Sequence, residues 1–299
     1  MKKILMALSI LMFLSACSNS DDQDTGKKNP ENIAELIPSM DDYSKEEQEK
    51  IEHGRELSNN TQALLPDNVG NRLACASCHA GAGTGDAINL IGVTKKFPQY
   101  SKREGKDVTL EERINGCFMR SMDGKPIDED SEEMEAFMAF YKYISDGVES
   151  GDEYPFMTES LGADSMPEPD PEQGGKLIER YNCMTCHGDP TATNPALSGP
   201  DLFGEGSFND GAGMARLSNM QGFIKKHMPL DDPGTLSEQE AADLAAYVLM
   251  QERPEFEGEN KFPDGGKPDD YMDKETREKI KNNVMKWSDF DVVKKHKEK

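Results

Sequence analysis

The 299-residue chain is strongly acidic, with 34 Lys and Arg residues against 57 Asp and Glu residues and a formal net charge of −23. This balance excludes a general nucleic-acid-binding protein, because no basic surface is available to displace the counterions of a phosphate backbone. Hydrophobic residues make up only 35% of the chain, which is lean for this length but allows about two small domains.

The first sixteen residues have the pattern of a bacterial secretory signal. Two lysines precede an apolar run over residues 4–14, which is too short to span a bilayer. Small residues then lead directly to Cys17, as in the cleavage site of bacterial lipoproteins. We therefore predict a signal peptide over residues 1–16, a lipid on Cys17, and a polar, flexible tether over residues 17–42. The alternative is a plain signal peptide that leaves Cys17 as an unmodified thiol.

Two Cys-x-x-Cys-His sequences organise the rest of the chain. They consist of Cys75, Cys78 and His79, and of Cys183, Cys186 and His187. This spacing is the attachment signature of c-type haem, because two thiols on one turn bond the vinyl groups and the following histidine becomes the proximal iron ligand. A four-cysteine zinc site or two disulfides are the alternatives, but neither needs a histidine after each pair. The sequence predicts two covalently bound haem c groups.

Helical patterns surround both motifs and predict an all-α fold of two class I cytochrome c-like domains. Capping boxes mark three helix starts, formed by Ser44 with Glu47, Thr109 with Glu112, and Ser237 with Glu240. Apolar residues at helical spacing predict a closing helix over residues 133–148 and another after Ser237. The predicted segments are a first domain at residues 43–150, an acidic, proline-rich linker at 151–173, a second domain at 174–252 and a charged C-terminal extension at 253–299.

The sixth ligand of each iron decides whether a haem only carries electrons or also offers a reactive site. For the second haem, Met228 stands before a proline and ahead of the last helix, where small cytochromes c usually place the axial thioether. Met214 and Met220 are the alternatives. His227, next to Met228, is interpreted either as a surface residue or as an exchangeable ligand.

Cys117 is the one cysteine outside the haem motifs and the lipoprotein sequence, and it lies in a predicted helix. Arg113 and Arg120 share its helix face, four residues before it and three residues after it. An unpaired thiol is a liability in an oxidising compartment, so a role as iron ligand or nucleophile explains its presence. The alternatives are an inert, buried cysteine and iron ligation by Met119 or Met122.

The segment around Cys117 is basic, in contrast to the rest of the chain. Residues 95–125 contain eight basic and five acidic residues, and this local excess indicates an anion site. The alternative is a solvated surface, on which lysines such as Lys95 and Lys96 would be simply solvated.

Several sequences resemble those of the dihaem thiosulfate dehydrogenases. They are Arg72-Leu73, Ile91-Gly92-Val93, Phe97-Pro98-Gln99-Tyr100, residues 113–126 around Cys117, residues 208–216, and Met228-Pro229-Leu230. This family joins two thiosulfates into tetrathionate, and some of its members run the reverse reaction. The resemblance implies a catalytic first haem with Cys117 as its distal ligand.

The resemblance also implies roles for other side chains. Arg103 and Arg113 match the basic residues that hold the substrate anions, and Gln99 and Ser121 stand nearby. The second haem, held by His187 and Met228, would pass electrons to a small redox partner such as a cytochrome c. In the family a lysine can stand beside the axial methionine, a place that His227 takes in this sequence.

The predicted anchor implies a location on the periplasmic side of a bacterial membrane, with the outer membrane favoured because a serine follows Cys17. Two other functions remain open. A non-catalytic dihaem electron-transfer cytochrome would need neither Cys117 nor the basic segment. A subunit of a carrier-bound sulfur-oxidising complex, which also uses a cysteine-ligated haem, would need a partner chain.

Overall fold

The computed structural model describes residues 33–149, 161–188, 199–258, 261–263 and 266–298. The predicted signal peptide, Cys17 and most of the predicted tether lie outside the described residues, as does the first part of the predicted linker. None of the helices in the described ranges is long and apolar enough to cross a membrane.

The described residues form a mostly helical structure, which confirms the predicted fold class. The α-helices are α1 (Lys45–Asn59), α2 (Thr61–Leu64), α3 (Ala80–Gly83), α4 (Leu110–Arg120), α5 (Glu132–Tyr143), α6 (Pro171–Arg180), α7 (Met184–His187), α8 (Leu217–His227), α9 (Glu238–Met250), α10 (Lys274–Lys281) and α11 (Asp291–Lys297). Strands β1 (Gln99–Ser101) and β2 (Lys106–Val108) form an antiparallel hairpin. Sequence reasoning missed this hairpin, because three-residue strands are too short to show an alternating pattern.

The core of the first domain forms where α1 crosses α5. Helix α1 begins at the predicted capping box of Ser44 and Glu47. Gly54 lies at the crossing point, and a Cβ there would collide with the carbonyl group of Ala136 in α5. Only glycine therefore allows this close approach, which lets the buried aromatic side chains of α5, such as Phe137, fill the domain interior.

The second domain repeats this crossing with α6 and α9. Gly174 takes the place of Gly54, because a Cβ at this position would collide with the carbonyl oxygen of Asp243 in α9. Helix α9 begins at the predicted capping box of Ser237 and Glu240. Helix α6 begins at Pro171, so its first turn comes from the segment that we assigned to the linker.

Residues on both sides of the two domains are packed against them. Near the N-terminus, the Tyr143 hydroxyl donates to the carbonyl oxygen of Pro38 at 3.0 Å, which holds the end of the predicted tether on the first domain. In the C-terminal extension, Tyr271 and Phe290 are completely buried, and Met272 N donates to Ala215 O at 2.9 Å. The extension is therefore an integral part of the second domain's packing.

Candidate haem sites and active site

A cavity of about 330 Å³ lies in the first domain, between the first haem motif and α4. Cys75, Cys78 and His79 line one side of this cavity, and Arg113 and Cys117 of α4 line it as well. The other polar or charged lining residues are Asp86, Asn89, Lys96, Gln99, Ser121, Tyr141, Lys226 and His227. The predicted attachment, proximal and distal residues of the first haem thus share one cavity, whose wall is mainly apolar.

His79 has the orientation that a proximal ligand requires. Its Nδ1 lies 2.7 Å from the carbonyl oxygen of Ile88, so this nitrogen donates the hydrogen bond and Nε2 is left for a metal. Burial lowers the pKa of His79 to about 4; the Ile88 carbonyl acts in the opposite direction, and the charge of Arg113 adds to the lowering. The ring is therefore neutral at neutral pH, which is the form that coordinates iron.

The two attachment cysteines are held in the same wall. The Cys75 amide donates to Thr61 Oγ1 at 3.1 Å, and that hydroxyl lies 3.5 Å from Cys75 Sγ. Burial raises the pKa of Cys75 to about 11 and that of Cys78 to about 12, so both are neutral thiols.

The alternatives of zinc and disulfides find no support in the described part of the chain. All five of its cysteines are unpaired thiols. No three His, Cys, Asp or Glu side chains among these residues gather as a metal site requires. The cysteine pairs, each with its own histidine, therefore fit haem attachment better than either alternative.

Arg113 and Cys117 form a direct contact on α4. Arg113 Nη1 donates to Cys117 Sγ at 3.0 Å, as the spacing of four residues allows. The capping box of Thr109 and Glu112 fixes the start of this helix, as predicted. Cys117 is half-buried and Arg113 is exposed. An anion that enters the cavity from solvent would therefore meet the guanidinium next to the sulfur.

The structure does not bring Arg103 and Arg113 together. Arg103 Nη1 donates to the carbonyl oxygen of Gly211 at 2.9 Å, and its guanidinium lies 5.0 Å from the ring centroid of Phe262. Arg120 likewise donates to the backbone of the C-terminal extension. Neither arginine is among the described residues that line the cavity, and the substrate-binding role of Arg103 stays a prediction.

Lysines from two different parts of the chain line the cavity instead. Lys96, for which simple solvation was the alternative, is one of them, and Lys226 at the end of α8 is the other. Sequence reasoning missed Lys226, although three consecutive basic residues in the last turn of α8 were a visible signal. Gln99 and Ser121 also line the cavity, and their role in substrate binding stays a prediction.

The second haem motif has the same proximal geometry as the first. His187 Nδ1 lies 2.8 Å from the carbonyl oxygen of Pro200. Burial lowers the pKa of His187, while the Pro200 carbonyl and the charge of Asp201 act in the opposite direction. A Cβ on Gly199 would lie 2.9 Å from the imidazole ring. The turn at residues 199–202 therefore lies against the histidine.

The candidate distal ligands of the second haem lie on and around α8. Met228 follows the last residue of α8 and is half-buried against the hydrophobic core. Met220 is 4% exposed within that core, and Met214 packs against it. The His227 ring lies 5.2 Å from the Phe223 ring and lines the first cavity. His227 thus lines the first cavity and is not a plain surface residue.

Comparison with known proteins assigns both domains. Residues 67–149 match the family model of the SoxA/TsdA cytochrome c domain, and residues 169–248 match that of the cbb3-type cytochrome c oxidase subunit III. Two cytochrome c domains imply haem c as the cofactor.

Similar full-length proteins agree with this assignment. The thiosulfate dehydrogenase of Psychrobacter arcticus is 38% identical over 231 residues, which are 74% of this chain and 68% of that protein. The thiosulfate dehydrogenase of Allochromatium vinosum is 39% identical over 221 residues, which are 70% of this chain and 80% of that protein.

A solved structure of a thiosulfate dehydrogenase has a similar fold. Thiosulfate dehydrogenase TsdBA from Marichromatium purpuratum, in its as-isolated form, matches with a TM-score of 0.67 and 28% identity. The match covers 75% of this chain and 50% of that chain, so this protein spans half the length of the solved one. From the sequence similarity and the two haem domains, the chain belongs to the thiosulfate dehydrogenase family of dihaem cytochromes c, which are oxidoreductases.

Proposed function

We propose that the protein oxidises two thiosulfate ions to tetrathionate at the cavity of the first domain and passes the two electrons to a redox partner. The observation that carries this proposal is the contact between Arg113 and Cys117 inside a haem cavity. A cytochrome that only transfers electrons has no use for a sulfur nucleophile beside an anion-binding guanidinium. The named relatives are thiosulfate dehydrogenases.

The residues present fit two haem c groups. In the first domain, Cys75 and Cys78 would hold the haem covalently, and His79 and Cys117 would bind its iron. In the second domain, the corresponding residues are Cys183, Cys186, His187 and Met228. When bound, the two haems supply the pair of one-electron acceptors that this oxidation requires.

The basic residues of the cavity reduce the electrostatic repulsion between the two substrate ions, which is the main physical obstacle to the reaction. Thiosulfate is a dianion, and two of these ions must meet although they repel each other. Arg113, Lys96 and Lys226 line the cavity and offset this repulsion. The planar guanidinium of Arg113 suits the sulfonate group best, because it can donate to two oxygens at once. Gln99 and Ser121 add neutral hydrogen-bonding groups.

Cys117 provides the sulfur on which the product is assembled. Its thiolate and the outer sulfur of the first thiosulfate form a sulfur–sulfur bond, and this step is a two-electron oxidation. The outer sulfur of a second thiosulfate then attacks the sulfur bonded to Cys117. Tetrathionate leaves, and Cys117 returns as a thiolate. The balance is two thiosulfate ions for one tetrathionate and two electrons, without a net proton.

Reduction of the oxidised protein by thiosulfate alone tests this proposal. We expect the absorption bands of reduced c-type cytochrome to appear and one tetrathionate to form for each pair of electrons. The Cys117→Ala variant, in which both attachment motifs are intact, should stay oxidised. If the unmodified protein stays oxidised with thiosulfate but is reduced by dithionite, the electron-transfer alternative replaces the proposal.

We also propose that residues 1–16 direct export and that a lipid on Cys17 holds the protein on the periplasmic side of a bacterial membrane. The small residues before Cys17 support this assignment. A small, soluble electron carrier such as a cytochrome c is the proposed redox partner of the second haem.

A further inference from the structure

Arg72 forms an ion pair with Asp201 of the second domain, and the proposed reaction gives this pair no role. Arg72 precedes Cys75 by three positions, and it is not among the described residues that line the first cavity. Its guanidinium instead reaches the second domain, where Nε and Nη2 lie 2.7 Å and 2.5 Å from Asp201 Oδ2. The Asp201 side chain is 1% exposed, whereas that of Arg72 is 49% exposed. The pair therefore joins a partly solvated cation of one domain to a buried anion of the other.

Asp201 is adjacent to the group that orients His187. It directly follows Pro200, whose carbonyl oxygen accepts the hydrogen bond from His187 Nδ1. Any change in the position or the charge of Asp201 therefore alters the orientation or the electrostatic environment of His187, the predicted proximal ligand of the second haem.

The surroundings of the ion pair hold it in a fixed geometry. Next to Arg72, Asn71 Nδ2 donates both to Ser207 O and to Ser121 O, at 2.9 Å in each case, and so links the second domain at Ser207 to the end of α4. A Cβ on Gly206 would collide with Asp201 Oδ2. Asp201 Oδ1 is buried and has no hydrogen-bond partner among the described residues. The carboxylate thus relies on Arg72 for compensation of its charge.

We propose that Arg72 is a positioning residue for the second haem, supplied by the first domain. Its ion pair with Asp201 fixes the turn that orients His187 and neutralises a buried negative charge beside that ligand, which sets the reduction potential of the second haem. A negative charge near the iron favours the ferric state over the ferrous state, because the ferric ion carries one more positive charge. This inference rests on the proposed assignment of His187 as proximal ligand, and not on the oxidation of thiosulfate.

Potentiometric titration of the purified, full-length dihaem protein tests the inference. The absorption of the methionine-ligated haem separates its titration from that of the first haem. Arg72→Gln leaves the buried carboxylate uncompensated and should lower the potential of the second haem. Asp201→Asn removes the negative charge next to His187 and should raise that potential. A merely structural disturbance of the turn would move both variants in the same direction.

Two further variants sharpen the experiment. Arg72→Lys keeps the positive charge and should restore most of the shift caused by Arg72→Gln. The matched control is the pair of Arg216 and Asp270, in which a carboxylate with 2% exposure lies 3.0 Å from Arg216 Nε at the C-terminal extension. Arg216→Gln should leave the potential of the second haem unchanged.

The inference is overturned if Arg72→Gln and Asp201→Asn shift the potential in the same direction, if either leaves it unchanged, or if Arg216→Gln shifts it equally. If Arg72→Gln does not retain the second haem, the reduction potential of Asp201→Asn is compared with that of Arg72→Lys, and the inference is overturned unless Asp201→Asn has the higher potential. A spectrum of the second haem that His187→Ala does not alter would refute the ligand assignment itself, so the two failures are distinguishable.

Discussion

Replacing Arg113 with alanine removes the guanidinium that donates to Cys117 Sγ at 3.0 Å. Each charge-assisted hydrogen bond between this guanidinium and a bound sulfonate is worth about 1.5–3 kcal/mol. The loss of one such bond lowers kcat/KM for thiosulfate by about ten- to a hundredfold. We expect the lower end of this range, because Arg113 is exposed and water screens its charge.

Arg113→Lys separates the charge of the side chain from its shape. Lysine keeps a positive charge at this helix position but loses the planar fork that can donate to two sulfonate oxygens. Its kcat/KM should therefore lie between those of the alanine variant and the unmodified enzyme. Cys117→Ala should abolish the reaction at every thiosulfate concentration, because the nucleophile itself is missing.

Initial rates of thiosulfate oxidation with an artificial one-electron acceptor give these values, and pyridine haemochrome spectra verify that each variant keeps both haems. Lys95→Ala is the matched control, since Lys95 is exposed and lies outside the described set of cavity-lining residues. An Arg113→Ala enzyme with unchanged kcat/KM, or an equal loss in Lys95→Ala, would refute the argument that Arg113 binds the substrate anion.

Three other substitutions address the remaining assignments. Lys226→Ala should raise the KM for thiosulfate several-fold, because the cavity loses a positive charge. Lys225 points elsewhere, since its ammonium donates to Gly234 O at 3.0 Å, so Lys225→Ala should leave the KM unchanged in the same steady-state assay. Met228→Ala should remove the weak red-region absorption of a thioether–iron bond without changing the first haem, and an unchanged spectrum would point to another ligand. Cys17→Ser should shift the protein from the membrane fraction to the periplasmic extract with its activity intact, and retention in membranes would contradict lipidation.

The local features of this protein were predictable from the sequence because they depend on residues close together in the chain. A haem attachment motif needs two thiols and a histidine on one turn, so the spacing at Cys75 already carries the chemistry. The capping boxes of α1, α4 and α9 were confirmed for the same reason. The contact between Arg113 and Cys117 follows from a separation of four residues on one helix.

The extent of the packed structure was less predictable. The C-terminal extension was expected to be only a charged segment, but Tyr271 and Phe290 are completely buried and anchor it in the protein interior. The burial of these rings depends on contacts with distant residues, such as the hydrogen bond that the Tyr271 hydroxyl donates to Ala212 O at 3.2 Å, and no local pattern shows such contacts. The packing of Tyr143 against Pro38 was hidden in the same way, since 105 positions separate the two residues in the sequence.

The sequence by itself determined the helical fold class, the two haem attachment motifs and the pairing of Arg113 with Cys117, because each of these is encoded in short, contiguous patterns. Tertiary structure alone decided which other charges share the cavity with Arg113 and Cys117: it placed Lys226 at the cavity and turned Arg103 toward the C-terminal extension. It also joined Arg72 to Asp201 across 129 positions of the chain. The physical reason is that periodicity specifies which face of an element is buried, whereas the partners across a domain boundary depend on how two separately folded surfaces fit together.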